Sequence, residues 1–135
     1  MINIPDLSSK INVYMKPQET YNPRMIDRLA YVFSYLGKGV LEGFEVDANV
    51  ASITINPGIL IADNRIIKLI DSISITLHAS YFGTLPNIYA LIYYYKYEVN
   101  NPDDVGYFDF KSTTDIDMND VNTVVLYFFD IHVTP

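Results

Sequence analysis

The sequence predicts a mainly β protein: a β-sandwich or partly open barrel, with one N-terminal α-helix packed on it and an extended N-terminal arm. Three observations carry that expectation. From Gly39 onward apolar residues recur with a period of two, the spacing of a half-buried strand. Glycine, proline, asparagine and aspartate break these runs at short intervals, as turns between strands require. The chain also carries twelve Tyr and seven Phe, with no Trp, an aromatic usage that suits pleated, half-buried surfaces.

Residues 1–21 show no sustained period. Pro5, Pro17 and the polar run Ser8-Ser9-Lys10 predict an extended arm with a short strand over Ile11-Asn12-Val13-Tyr14. Residues 22–135 form the single β domain, led by a helix over 22–36. Asn22 suits the N-cap, and Pro23 sits where a first-turn proline is tolerated. Tyr21 and Ile26 occupy the staple positions around that cap. Met25, Leu29, Val32, Phe33 and Leu36 make one apolar stripe, and Gly37 ends it.

Val40 to Val46 is a strand interrupted by Gly43, which predicts a bulge or a close backbone approach. Asp47-Ala48-Asn49 is read as a turn. Ser52 to Ile55 alternates, and Asn56-Pro57-Gly58 predicts a type II turn with positive φ at Gly58. Gly58 to Ile61 runs to Asp63-Asn64, a pair that tolerates the primed turn of a tight hairpin. Arg65 to Leu69 returns, and Ser72 to Leu77 alternates again. Tyr81 to Asn87 is a connection. Ile88 to Val99 is the longest strand and is apolar on both faces, which places it inside a sandwich or against a partner chain. Tyr107 to Phe110 is a short edge strand, Lys111 to Asn122 a polar acidic loop, and Thr123 to Val133 the last strand.

Composition narrows the function classes. A chain of 135 residues buries roughly two-thirds of its unfolded surface, enough to fold without a metal or a disulfide. Cysteine is absent, which removes disulfides, thiolate zinc sites and cysteine nucleophiles together. The net charge is −7, and nine Lys+Arg are scattered through the chain, so neither nucleic acid nor an anionic membrane is an expected partner. No apolar run approaches the ~20 residues that span a bilayer, and the N-terminus does not read as a signal peptide.

Candidate chemistry is thin. Asp115-Ile116-Asp117-Met118-Asn119-Asp120 alternates carboxylates as a calcium loop would. The glycine and glutamate that such a loop needs at its sixth and twelfth positions are replaced by Asp120 and Leu126. A solvated acidic loop is the expectation, with no metal and no cofactor. His78 and His132 each lie at or near a strand end, and Asp130 shares a strand face with His132, a spacing that the strand period alone produces. No serine sits in a nucleophile elbow, and Gly37-Lys38-Gly39 lacks the spacing of a phosphate loop. Tyr93-Tyr94-Tyr95-Lys96-Tyr97 cannot form one sugar-stacking platform, because consecutive strand residues point to opposite faces. Core on one face and contact surface on the other fits better.

The run GKGVLEGFEV, a polar turn, SITINPGILIADNRIIKL and a later IYALIYYYKYEV resemble a β module of tailed-bacteriophage baseplate and tail-fibre structural proteins. The resemblance spans about residues 22–133 and rests on short glycine-anchored motifs, "G-V-x-x-G-F-x-V" and "I-x-I-x-P-G". It implies a virion structural protein, not an enzyme: a baseplate or tail subunit that connects neighbouring components or anchors fibres, assembled in the host cytoplasm. Because the chain stops where the module stops, a small connecting or ring component is expected. The alternative is a receptor- or carbohydrate-binding module of a tail fibre. The resemblance implies other virion proteins as partners and a homo-oligomer within a symmetric assembly. Expected interface residues are Tyr89, Tyr93, Tyr95 and Tyr97 on the long strand and Ile11, Val13 and Tyr14 in the arm. Expected structural turns are Gly37, Gly39, Gly43, Pro57, Gly58, Asp63 and Asn64.

Overall fold

The structure is a computed structural model that describes residues 2–14, 38–49, 51–82, 87–98 and 105–131. The helix expected over 22–36, with Asn22, Pro23 and Gly37, lies outside the described residues, as does His132. Among the described residues are ten strands: β1 (Ile11–Tyr14), β2 (Gly39–Gly43), β3 (Val46–Ala48), β4 (Ser52–Ile55), β5 (Gly58–Ala62), β6 (Arg65–Leu69), β7 (Ile73–Thr76), β8 (Asn87–Tyr94), β9 (Tyr107–Ser112) and β10 (Thr123–Ile131). One helical turn, Leu7–Lys10, and two 3-10 turns, Ala79–Tyr81 and Thr113–Asp115, complete them.

All pairings are antiparallel and fall into three open sheets, ordered β1-β6-β5-β2, β3-β4-β7 and β10-β8-β9. The protein is mainly β and sandwich-like, and its sheets do not close into a barrel. One hydrophobic cluster draws on all three sheets through residues such as Ile53, Leu60, Ile67, Ile73, Leu91 and Phe108. Each alternating run buries its isoleucine face: β7 alternates buried Ile73 and Ile75 with exposed Ser74 and Thr76. Burying such side chains contributes about 1.5–3 kcal/mol each.

Strand β8 is the centre of its sheet, and its middle is buried on both faces: Tyr89, Ala90, Leu91, Ile92 and Tyr93 are all buried, while Ile88 near its start stays exposed. It ends at Tyr94, earlier than the alternation suggests. The next residues leave the ladder because other groups take their backbone: Tyr95 donates its N–H to the Asn122 carbonyl and Tyr97 donates to Asp63 Oδ2.

Two turns differ from expectation. Asp47 and Ala48 belong to β3, paired with Thr54 and Ile53, and the turn moves to Asn49. Its Oδ1 accepts from the Ala51 and Ser52 N–H groups at 2.9 and 2.8 Å, which makes Asn49 itself the turn former. Asn56-Pro57 is not a hairpin turn either. β4 and β5 belong to different sheets, so these residues carry the chain from one sheet to the next, and Gly58 does not have positive φ.

The reason for glycine at 58 is distance. Gly58 is paired with Gly43 in the β2–β5 ladder. A methyl on Gly58 would lie 2.2 Å from the Phe44 nitrogen and 2.4 Å from the Glu42 oxygen, and one on Gly43 would lie 2.3 Å from the Pro57 oxygen. Two backbones thus meet here with no room for side chains. Gly43 (φ 63) and Phe44 (φ 54) are both left-handed, which bends the chain from β2 into β3 and drives the Phe44 ring into the core, 2 % exposed. Left-handed backbone costs a non-glycine residue about 1–2 kcal/mol, and burial of the ring offsets it. Asp63 (φ 52) and Asn64 (φ 56) close the β5–β6 hairpin between Ala62 and Arg65 with both residues left-handed, the requirement of a primed two-residue turn.

The expected contact residues of the arm sit inside the molecule. β1 pairs with β6, with Ile11 opposite Leu69 and Val13 opposite Ile67. Ile11 and Val13 are buried and Tyr14 is half-buried. Ile2 is buried too, and its N–H donates to the Phe108 carbonyl. The described part of the expected arm therefore packs on the sheets, with Ile2 against β9 and β1 as an edge strand beside β6. Two alternate apolar residues, Ile11 and Val13, suffice to earn a sheet edge.

Candidate interaction surface

Among the described residues, the groups that could support catalysis are not gathered. His78 is exposed and meets the edge of the Tyr81 ring at 5.5 Å. Among the described residues no three His, Cys, Asp or Glu side chains are grouped to hold a metal ion.

The carboxylates of the acidic loop work on their own backbone. Asp117 Oδ1 accepts the Asn119 N–H at 2.9 Å. Asp120 Oδ1 accepts from the Asn122 N–H and Nδ2 at 3.0 and 2.9 Å, and Oδ2 accepts from Thr123 Oγ1 at 3.3 Å. The positive charge at this loop comes from a lysine: Lys38 Nζ donates to the Asp120 and Thr123 carbonyls at 2.8 and 2.9 Å. The Asn122 N–H, ahead of desolvation that opposes it, holds the Asp120 carboxyl below its ordinary value; Asn122 Nδ2, Thr123 and the Lys38 charge add to the lowering. The loop is thereby latched to the start of β2.

A second polar cluster fastens the same loop to the β5–β6 hairpin. The Asp63 N–H donates to the Val121 carbonyl at 2.9 Å. Arg65 donates through NH1 to the Asp63 carbonyl at 2.6 Å, lies 3.4 Å from Asp63 Oδ2, and covers the Tyr97 ring at 4.8 Å. Such half-buried charge-assisted bonds hold loops in register more than they add stability.

Several large apolar side chains stay outside. Phe128 is 54 % exposed, Ile88 46 % and Tyr127 39 %. Ile88 pairs with Asp130 and Ala90 with Phe128, so Ile88 and Phe128 are diagonal neighbours on one face of the β8–β10 pair. β10 is the edge of its sheet, and a register shift between Val125 and Tyr127 displaces it just before the exposed stretch. Past the bulge, Tyr127 and Phe128 stand opposite Leu91 and Ala90 in succession, so they point to opposite faces: Phe128 lies with Ile88, and Tyr127 lies against Phe129. Val40 and Leu41 on β2, the edge of another sheet, are 41 % and 39 % exposed. Elsewhere Tyr94 and Tyr107 stack across β8 and β9 with ring centroids 5.0 Å apart, both half-buried. Burial, reinforced by Tyr94, Asp109 and Asp120, raises the Tyr107 phenol above its ordinary value.

The tyrosines expected at a contact on the strand 88–99 do not lie on this exposed surface. Tyr93 and Tyr95 are fully buried and Tyr89 is 9 % exposed, so these rings are core and offer nothing to a neighbour. Tyr93 even donates its hydroxyl to the Val105 carbonyl at 2.5 Å. Tyr97 is half-buried beneath Arg65. Sequence reasoning missed Ile88, Tyr127 and Phe128. Strand periodicity marks which residues share a face, but only the strand order shows which faces lie at an edge.

No protein-family model, no curated protein and no solved structure matches the chain.

Proposed function

We propose that the protein is a structural subunit of a bacteriophage tail or baseplate, which joins neighbouring components through its exposed apolar strand edge. The observation that carries this reading is the exposed Ile88–Phe128 pair, on one face of β8 and the edge strand β10. Native edges are usually shortened, charged or covered, and large exposed aromatics are the residues that interfaces use. Two further points support it. The glycines and proline of the phage-like motifs serve a backbone junction at Gly43, Pro57 and Gly58, a structural task. Among the described residues, His78 packs against Tyr81, and Asp117 and Asp120 of the acidic loop form turns.

Sedimentation of the isolated protein at micromolar concentration tests the surface. Self-association that Phe128→Ser and Ile88→Ser abolish is the expected result. A parent that sediments as a monomer, indistinguishable from both variants, removes the patch as a contact between copies. Cryo-EM of a purified particle tests the location, and absence from the tail overturns the virion reading.

A carbohydrate-binding module is the second reading. The stacked Tyr94–Tyr107 pair, contributed by two strands, favours it, since half-exposed aromatic rings stack on sugar rings. A glycan array decides it: binding that Tyr107→Ala abolishes would replace the assembly reading.

A further inference from the structure

The segment 39–48 borders two sheets at once. β2 is the edge of the sheet β1-β6-β5-β2, and β3 is the edge of the sheet β3-β4-β7. The left-handed pair Gly43-Phe44 bends one into the other. Val40, Leu41, Glu42 and Gly43 are all exposed, and among the described residues β2 has a strand partner on its β5 side alone, with β10 approaching near its start, where Lys38 meets Thr123. An uncovered edge presents backbone N–H and C=O groups to any strand that approaches.

The charges of this rim choose between partners. Glu42, Glu45 and Asp47 are exposed, and residues 39–48 contain no Lys or Arg. The nearest lysine, Lys38, spends its ammonium on the Asp120 and Thr123 carbonyls. Asp47 Oδ2 accepts from Asn56 Nδ2 at 2.9 Å, which leaves Glu42 and Glu45 as the carboxylates without an internal use. A second copy of the chain would bring the same acids and a net charge of −7 to the contact. Like charges on adjoining strands are destabilising, so the edge is guarded against self-pairing and open to a strand of opposite sign. Val40 and Leu41 supply apolar contact beside those charges.

We infer that β2 is a docking edge for an extended, lysine- or arginine-bearing segment of a different protein, which adds to the sheet as a further antiparallel or parallel strand. Main-chain hydrogen bonds supply the attachment, and the Glu42–Glu45 carboxylates select its charge. This edge is separate from the Ile88–Phe128 patch, and the inference stands whether or not that patch joins copies of the chain.

A short blocked peptide of alternating lysine and valine is the probe, titrated into isotopically labelled full-length protein and followed by amide chemical shifts. Shifts centred on Val40–Gly43 are expected. Glu42→Lys with Glu45→Lys should weaken the probe by about tenfold, and so should raising the salt from about 50 mM to about 500 mM, as screened surface charges behave. Both side chains are exposed, so these variants keep the parent's melting curve. The same peptide N-methylated on alternate residues should lose binding, since it cannot pair its backbone. Three results overturn the inference: no shifts at millimolar probe; shifts centred on the acidic loop 115–120; or equal binding by the N-methylated peptide or by an alternating glutamate–valine peptide. None of these outcomes depends on Phe128 or Ile88, so failure here is distinct from failure of the assembly reading.

Discussion

Adding a single methyl group at Gly58 should break the junction between two sheets. In Gly58→Ala the new carbon meets the Phe44 nitrogen at 2.2 Å, the Glu42 oxygen at 2.4 Å and the Gly43 carbonyl carbon at 2.7 Å. All three are backbone atoms of the β2–β3 bend, so no side chain can rotate away. Relief requires moving that bend from 2.2 Å to the 3.4 Å of ordinary contact. Overpacking of this kind costs about 1–3 kcal/mol. The displaced β2–β5 ladder loses one or two hydrogen bonds at about 1 kcal/mol each. The sum is about 3 kcal/mol or more, a large share of the stability of a small domain. Gly43→Ala meets the Pro57 oxygen at 2.3 Å and adds left-handed strain at φ 63, so it should cost about 1 kcal/mol more. Gly39→Ala meets nothing within 4 Å and suffers only from its φ of 135, at the low end of the 1–3 kcal/mol that such backbone costs. The double variant Gly43→Ala, Gly58→Ala carries the sharper test. Both methyls open the same contact, so their costs should fall short of additivity by about 2 kcal/mol. Urea unfolding followed by tyrosine fluorescence gives every term. A Gly58→Ala protein within about 0.5 kcal/mol of the parent, the usual range of an inconsequential surface change, would refute the close approach, and strict additivity would refute the shared junction.

The remaining expectations concern the same bend and the latch beside it. Phe44→Ala should cost about 3–5 kcal/mol for a lost core ring, whereas Phe44→Gly should cost no more and as much as about 1 kcal/mol less, because glycine accepts φ 54 without strain; chemical denaturation of the pair would show that inversion of the usual alanine-over-glycine order. Lys38→Met removes the donor to the Asp120 and Thr123 carbonyls; it should cost about 1.5–3 kcal/mol and speed amide exchange at 120–123 before it affects β4 or β7. The Asp120 carboxyl is held below its ordinary 3.8 in the folded protein, chiefly by the Asn122 N–H. Its contribution is therefore complete above that ordinary value and is lost as pH falls through the folded one. Asp120→Asn should flatten the acid limb of the stability–pH curve and leave its neutral plateau lower than the parent's. Tyr107 runs the other way: with its phenol raised above 10.0, stability should fall as pH climbs past that value, and Tyr107→Phe should remove the decline.

Much of the architecture was legible in the residues themselves. The isoleucine alternation of 52–55 and 73–76 marks β4 and β7 because a pleated strand sends every second side chain to one face. Asp63-Asn64 announces a two-residue hairpin because few other residues accept left-handed backbone twice in succession. The doubly apolar run read as a strand over 88–99 announces a central strand, and β8 is one, though it ends at Tyr94. Tertiary contacts decided the rest. Gly58 looks like a turn glycine, but its need for a missing side chain comes from Phe44 and Glu42, residues far enough along the chain to be invisible in a local pattern. Tyr93 and Tyr95 look like surface for a neighbour until β9, the 105–106 turn and the 120–123 loop close over them. Conversely, nothing in the apolar run 123–133 singles out Phe128, which is more than half exposed on β10, an edge strand of its sheet. Periodicity is a property of one strand and survives in the sequence; edge or centre, and inside or outside, are properties of a strand's neighbours, and those are chosen only when distant segments pack.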